Sequence, residues 1–255
     1  MIEDEKIPFT SHLDELRKRL IIAFIAIGVG AAISFAFKEW LFNILVLPLV
    51  KVMEEGDTLI FTGLPEAFFT YLKVALLSGI IVASPVIFYE FWMFVAPGLY
   101  TKERRLMIPI VLLSSFFFIG GALFGYFIVF PWGFKFFLGF ATETIRPLPA
   151  MKEYFAFSSK LLLAFGLVFE LPLVLTFLAK LGIVSVAFLK KNRKYALLLF
   201  FVGSAILTPP DVVTQVMMAL PLMVLYEISI IGAKVFGKKK PKEETETKET
   251  EESTS

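Results

Sequence analysis

Residues 161–180 read LLLAFGLVFELPLVLTFLAK, an apolar run of membrane-spanning length with one acid, Glu170, near its middle. About 20 apolar residues in a helix cross the hydrocarbon core of a bilayer, so this run predicts a transmembrane helix. A carboxylate near the bilayer centre costs roughly 2.5 kcal/mol or more, which makes Glu170 a candidate functional residue. Two interpretations stay open: Glu170 meets a polar group on a partner helix, or it is a neutral carboxyl hydrogen-bonded to a neighbouring helix of the same chain.

Composition places the whole chain in the membrane class. Of its 255 residues 57% are hydrophobic, and the apolar residues fall in long uncharged stretches. The chain has no Cys and one His, so it can form no disulfide, and we expect no metal and no cofactor. It shows no catalytic grouping of Ser, His and Asp and no phosphate-binding glycine loop. We therefore expect no enzyme activity and no nucleic-acid partner.

The apolar stretches predict six transmembrane helices, which makes the fold class an all-α integral membrane protein. The predicted helices are 20–37, about 72–95, one within 106–134, about 158–180, one that begins at Tyr195, and one that follows Asp211 and runs to about Ala233. The first run is too long for the core of a cleaved secretory signal, so we interpret it as a retained span. From Tyr195 to Thr208 a helix measures about 21 Å, against a hydrocarbon core of about 30 Å. A re-entrant hairpin is therefore the alternative to two final spans with local membrane thinning.

Positive charges predict the orientation of these helices. Most of the 25 Lys and Arg residues lie within 6–19, 102–105, 180–194 and 234–248. If the chain crosses the membrane six times, these four segments lie on the same side of it. Segments rich in Lys and Arg stay in the cytoplasm, so we expect both termini there. Residues 1–236 then form the six-helix domain. The tail 237–255 is too polar to bury a core and is expected to be disordered.

Two segments on the cytoplasmic side carry acids beside apolar and aromatic residues. The segment 10–20, TSHLDELRKRL, places Leu13, Leu16 and Leu20 on one stripe, which predicts an amphipathic lead-in at about 10–19. The segment 91–105, FWMFVAPGLYTKERR, carries Glu103. Pairs of acids and bases four residues apart, such as Glu15 with Arg19, also fit a solvated helix face. Alternatively, the two carboxylates of Glu15 and Glu103 could bind a cationic peptide through charge-assisted guanidinium contacts.

Four motifs resemble the TatC family, the multispanning core subunits of the twin-arginine protein translocase. They are SHLDELRKRL (11–20), SPVIFYEFWMFVAPGLYTKERR (84–105), FGLVFELPLVL (165–175) and LTPPDVVTQVMMALPLMVLYEI (207–228). The resemblance implies six helices in a concave, glove-like body with short helices 5 and 6, in the prokaryotic inner membrane. It also implies a receptor for twin-arginine signal peptides of folded cargo. This receptor would assemble in several copies with the single-span subunits TatA and TatB and export the cargo with the proton motive force.

The resemblance also implies roles for individual residues. Signal-peptide binding falls on Glu15 and Glu103, with Arg17, Phe94, Leu99, Arg104 and Arg105 around them. Contact with partner helices falls on Glu170, Thr208 and Gln215, and a function in the outer loops falls on Pro48 and Asp211. Tyr126 and Pro85 match family positions without a separable role. The chain departs from the family at Glu90, where Gln is common, and at Thr101, where a basic residue is frequent.

A proton-coupled transporter of small solutes is the alternative from another class of proteins. In that interpretation Glu170 relays protons across the membrane. Purified protein in vesicles separates the two, since a transporter moves solute alone and a receptor does nothing without cargo and partners.

Overall fold

A computed structural model describes residues 9–54, 57–95, 107–142, 144, 146–207 and 212–237, with side chains from His12 onward. Its regular elements are all helical, which confirms the predicted fold class. In chain order they are α1 (Phe9–Phe35), α2 (Lys38–Val50), α3 (Glu66–Val95), α4 (Met107–Phe124), a π-helical turn (Gly125–Val129), α5 (Phe130–Leu138), α6 (Met151–Phe169), α7 (Leu171–Leu181), α8 (Val186–Lys191), α9 (Arg193–Leu207) and α10 (Val212–Phe236). The predicted tail from residue 238 onward lies outside the described residues.

Five helical stretches of the described residues are long and apolar enough to cross a membrane. They are His12–Phe35, Glu66–Val95, Met107–Leu138, Met151–Leu181 and Val212–Phe236. The lead-in is not a separate helix, because α1 runs unbroken from Phe9 to Phe35. The expected fifth span is α9, with 15 residues, or about 22 Å.

The last helix, α10, has 25 residues, which agrees with the span predicted from after Asp211 to about Ala233 and is longer than the short helix 6 that the resemblance implied. At 1.5 Å per residue it measures about 37 Å, which exceeds the hydrocarbon core. Residues 228–236 are mostly apolar, and the helix continues through Gly232 to Phe236.

The chain divides into two compact units. The first holds residues up to Glu170 together with Leu207–Thr214, and the second holds Leu171–Ile206 and the residues from Gln215 onward. In the first unit α1 packs along α3, α3 packs on α4, and α4 packs on α6. In the second unit Ala179, Leu189, Tyr226, Ile230 and Ala233 form a buried apolar cluster.

Two glycines let α1 and α3 approach closely. A methyl group built on Gly79 would lie 2.5 Å from the backbone nitrogen of Ala31, and one built on Gly30 would lie 3.0 Å from the carbonyl oxygen of Gly79. Real Cβ atoms essentially never come as near as the first distance, and the second is tighter than nine in ten real Cβ contacts. Small residues at such crossings are typical of packed membrane helices. The pair therefore fixes the register of the two helices.

Helix α2 was missed from the sequence, and it holds Pro48, which the resemblance placed in an outer loop. Proline has no backbone N–H, so Pro48 cannot donate to the carbonyl of Ile44 one turn earlier. The hydroxyl of Tyr126, in the π-helical turn, donates to that carbonyl at 2.6 Å. The hydroxyl of Tyr154 donates to the next carbonyl, that of Leu45, at 2.5 Å. Pro48 and Tyr126 therefore act together to join α2 to the helix bundle.

A second proline in α3 is accommodated in the same way. Pro85 cannot donate to the carbonyl of Ile81, and the Ser84 hydroxyl donates to that oxygen instead, at 2.7 Å. Ser84 is 1% exposed. Hydroxyl side chains commonly satisfy carbonyls that prolines free in membrane helices. Pro85 and Tyr126, the two family positions without an assigned role, thus belong to two separate examples of one arrangement, in which a hydroxyl group satisfies a carbonyl that a proline leaves without a donor.

The segments before α3 and α6 are tied to each other. Ile60 pairs with Ala150 in an isolated parallel bridge, with Met151 N donating to the Ile60 carbonyl at 2.8 Å. The Glu66 carboxylate accepts from Thr62 N at 2.8 Å and from Lys152 N at 3.0 Å. It therefore satisfies N–H groups in the turn before α3 and in the first turn of α6, where an acid is favourable.

Candidate functional site

Arg19 joins two carboxylates that come from different helices. Its Nε donates to Glu15 Oε1 at 3.0 Å, and its Nη1 donates to Glu90 Oε2 at 3.1 Å. Nη2 also contacts Glu15 Oε1. We call Glu15, Arg19 and Glu90 the arginine cluster.

The sequence explains how these three residues meet. Glu15 and Arg19 are four residues apart on α1, so they share one helical face. Arg19 lies 11 residues before Gly30, and Glu90 lies 11 residues after Gly79. Eleven residues are close to three helical turns, or about 16 Å. The glycine crossing of two antiparallel helices therefore brings Arg19 opposite Glu90.

Burial differs across the arginine cluster. The side chain of Glu90 is 10% exposed, that of Arg19 is 18% exposed, and that of Glu15 is 32% exposed. A buried carboxylate needs a charged or hydrogen-bonding partner, because desolvation otherwise makes it costly. Arg19 supplies that partner for Glu90. Glu15 is the member of the cluster that solvent, or a ligand, can reach.

An aromatic surface lies beside the arginine cluster on the same two helices. The rings of His12 and Phe94 stack with centroids 4.4 Å apart and planes 17° apart. Arg17, the residue between Glu15 and Arg19 on the other face of α1, is exposed. The structure thus brings Glu15 and Phe94, two predicted site residues, to adjoining ends of α1 and α3. The other predicted binding residues, Leu99, Glu103, Arg104 and Arg105, lie outside the described residues.

Glu170 lies in a second polar cluster, within the first unit. It is 7% exposed and follows α6 at the break before Pro172, whose ring prevents an unbroken helix. Trp92 Nε1 donates to Ser114 Oγ at 2.9 Å, and the Ser114 hydroxyl lies near the Glu170 carboxylate. Since the hydroxyl already accepts from Trp92, its single hydrogen is available to Glu170. Glu170 Oε1 has no partner among the described residues.

Both interpretations of Glu170 keep some support in this geometry. The Ser114 hydroxyl near Glu170 is a polar group on a neighbouring helix, as one interpretation expects. The unpartnered Oε1 leaves room for the other interpretation, in which a partner helix supplies a donor. Ser114 was missed because it is one of several serines in apolar helices. What distinguishes Ser114 is the nearby indole of Trp92, and the sequence does not show that proximity.

The remaining predicted residues are distributed over the structure. Gln215 Nε2 donates to the carbonyl of Phe201 at 2.9 Å, so it links α10 to α9 within the second unit. Pro48 is buried in α2. Thr208 and Asp211 lie outside the described residues.

Comparison with known proteins gives consistent matches over most of the chain. The profile of a family described as Sec-independent protein translocase protein (TatC) matches residues 11–221. A TatC protein of Desulforapulum autotrophicum is 68% identical over 247 residues, covering 97% of this chain and 92% of its own length. The TatC protein of Escherichia coli K12 is 38% identical over 244 residues, which cover 95% of this chain and 94% of the E. coli protein.

A solved structure matches as well. The crystal structure of a protein described as the twin arginine translocase receptor TatC superposes with a TM-score of 0.80 at 45% sequence identity. The match covers 88% of this chain and 99% of that one.

Proposed function

Since the chain belongs to the TatC family of Sec-independent protein translocase proteins, we propose that it is the receptor for twin-arginine signal peptides of folded cargo. The observation that carries this proposal is that the Glu15 carboxylate already binds a guanidinium, that of Arg19. A carboxylate that pairs with one guanidinium in this position has the geometry to pair with another from a peptide. The second peptide arginine would pair with Glu103.

The surroundings of Glu15 suit a peptide with arginines followed by apolar residues. The stacked rings of His12 and Phe94 offer an apolar face close by, and Leu99 would extend it. Arginine differs from lysine in offering a planar fork of donors, so a carboxylate can discriminate between the two. The exposed Arg17, with Arg104 and Arg105, would face the acidic or polar groups of the peptide.

We further propose assembly with TatA and TatB in the prokaryotic inner membrane. Both termini would lie in the cytoplasm, and several copies would work together to export folded cargo with the proton motive force. The unpartnered Oε1 of Glu170 supports a contact with a polar group on a partner helix. Thr208 and Gln215 are the further residues that we propose for contact with partner helices.

Binding of fluorescent signal peptides to the full chain in nanodiscs tests the receptor proposal. An Arg-Arg peptide should bind more tightly than a Lys-Lys peptide, and Glu15→Gln should abolish the difference. Asp14→Asn is the matched control, because Asp14 is an exposed acid on the same helix. Equal loss in both variants would mean that the peptide responds to general charge and not to Glu15.

Cross-linking tests the proposal on partners separately. Glu170→Gln should reduce cross-linking to TatA and TatB while peptide binding stays unchanged. Unchanged cross-linking would assign Glu170 to internal packing with Ser114 alone.

A further inference from the structure

The arginine cluster contains more than a peptide site needs. Arg19 holds the carboxylate to which the proposed function assigns the peptide, and Glu90 holds the other side of Arg19. We propose that, without peptide, Arg19 occupies the position on Glu15 that a peptide arginine takes when the peptide binds. When the peptide displaces Arg19 from Glu15, Glu90 keeps Arg19 bound. This inference rests on the proposed function and adds a specificity-determining residue, Glu90, to its site.

The geometry allows such an exchange. Arg19 reaches Glu15 through Nε and Nη2 but reaches Glu90 through Nη1. Guanidinium donors are fixed in a planar fork, so one edge can stay bound while the other is released. The two acceptors stand on different helices, α1 and α3, and therefore need not move together.

The burial of Glu15 and Glu90 determines which of them Arg19 releases. Glu90 is the more enclosed acid, with its side chain 10% exposed against 32% for Glu15. The pair that solvent screens less is the stronger one, and leaving a buried carboxylate unpaired is costly. Arg19 is therefore expected to remain with Glu90, while the more accessible Glu15 becomes free for the peptide.

Charge points to the same role for Glu90. The three side chains of the cluster carry two negative charges and one positive charge, so they hold one surplus negative charge. An incoming guanidinium neutralises this surplus. In a Glu90→Gln variant, Arg19 and Glu15 would form a neutral closed pair, and the peptide would have to break that pair without a replacement for Arg19.

Titration of a fluorescent Arg-Arg signal peptide onto the full chain in nanodiscs tests the exchange. Glu90→Gln should weaken binding about tenfold, because among the described residues Arg19 then has only Glu15 as a charged partner. An Arg19→Gln, Glu90→Gln double variant should return the affinity to within about twofold of the unsubstituted chain, because Glu15 is then unpaired and the cluster again holds one surplus negative charge. A role of Glu90 in packing alone cannot produce this recovery.

The outcomes separate this inference from the proposed function. If the unsubstituted chain prefers Arg-Arg over Lys-Lys and Glu90→Gln binds with the same affinity, the exchange is wrong and the receptor function stands. If the double variant binds as weakly as Glu90→Gln, then Glu90 serves packing and the exchange is again wrong. If the unsubstituted chain has no preference, the receptor function itself fails.

Discussion

The hydroxyl of Tyr126 donates to the backbone carbonyl of Ile44, 2.6 Å away. This carbonyl is the one that Pro48 leaves without its intrahelical donor. A side chain on the π-helical turn thus completes the hydrogen bonding of α2. The proline and the tyrosine form one unit, although 78 positions separate them in the sequence.

The first prediction follows from this unit. Tyr126→Phe should lower the free energy of unfolding by about 1 kcal/mol, the net value of one hydrogen bond. In a Pro48→Ala background the backbone donor returns, so the same substitution should cost clearly less. Denaturation in detergent with all four variants of the cycle measures the difference. If Tyr126→Phe lowers the free energy of unfolding equally in both backgrounds, Tyr126 and Pro48 act independently.

Close packing of α1 and α3 gives the second prediction. Gly79→Ala should destabilise the protein by about 1–3 kcal/mol, because the new methyl group meets the backbone of Ala31, which cannot move aside. Gly28→Ala is the control, since a methyl group there meets nothing within 4 Å. The same variants, tested for peptide binding, should show loss only for Gly79→Ala. A tolerated alanine at Gly79 would contradict the register assigned to the two helices.

The polar cluster around Glu170 gives the third prediction. Ser114→Ala removes the acceptor of Trp92 Nε1 and the hydroxyl near Glu170, so it should lower the free energy of unfolding by about 1–3 kcal/mol. The adjacent Ser115 donates to Val111 on its own helix at 2.9 Å, so Ser115→Ala should cost less than about 1 kcal/mol. Similar costs for the two neighbours would show that Ser114 acts only by filling space.

Hydrogen exchange tests the fourth prediction, at Glu66. Glu66→Gln weakens an acceptor of the Lys152 amide, because a neutral oxygen is a poorer acceptor than a carboxylate. Exchange of the Lys152 amide should therefore become faster. Glu153→Gln changes an acid in the same turn of α6 and serves as the control. An unchanged rate for Lys152 in Glu66→Gln would mean that another group protects this amide.

The sequence predicted what depends on composition and short spacing. Long apolar runs were sufficient for the membrane helices, and the four-residue spacing was sufficient for the Glu15–Arg19 pair. The contact of Arg19 with Glu90 could not be predicted, because it depends on the register that Gly30 and Gly79 set between two distant helices. An apolar segment of 13 residues is too short for a span, so α2 was interpreted as part of a loop.

The same limit applies to the hydroxyl groups. Tyr126, Ser84 and Ser114 each satisfy a partner that only the folded chain brings close. Their residue types indicate hydrogen bonding in apolar surroundings but do not identify the acceptor. Pro48 and Pro85 mark carbonyls that need a donor, and that part of the pattern can be read from the sequence.

Photo-cross-linking tests most directly the central claim, that the end of α1 with Glu15 binds the twin-arginine peptide. A photoreactive residue is placed at Leu16, and in a control variant at Ile33, near the other end of the same helix. The account predicts cross-linking of an Arg-Arg peptide at Leu16 and not at Ile33, with competition by excess Arg-Arg peptide but not by Lys-Lys peptide. Equal cross-linking at both positions, or equal competition by both peptides, would contradict it.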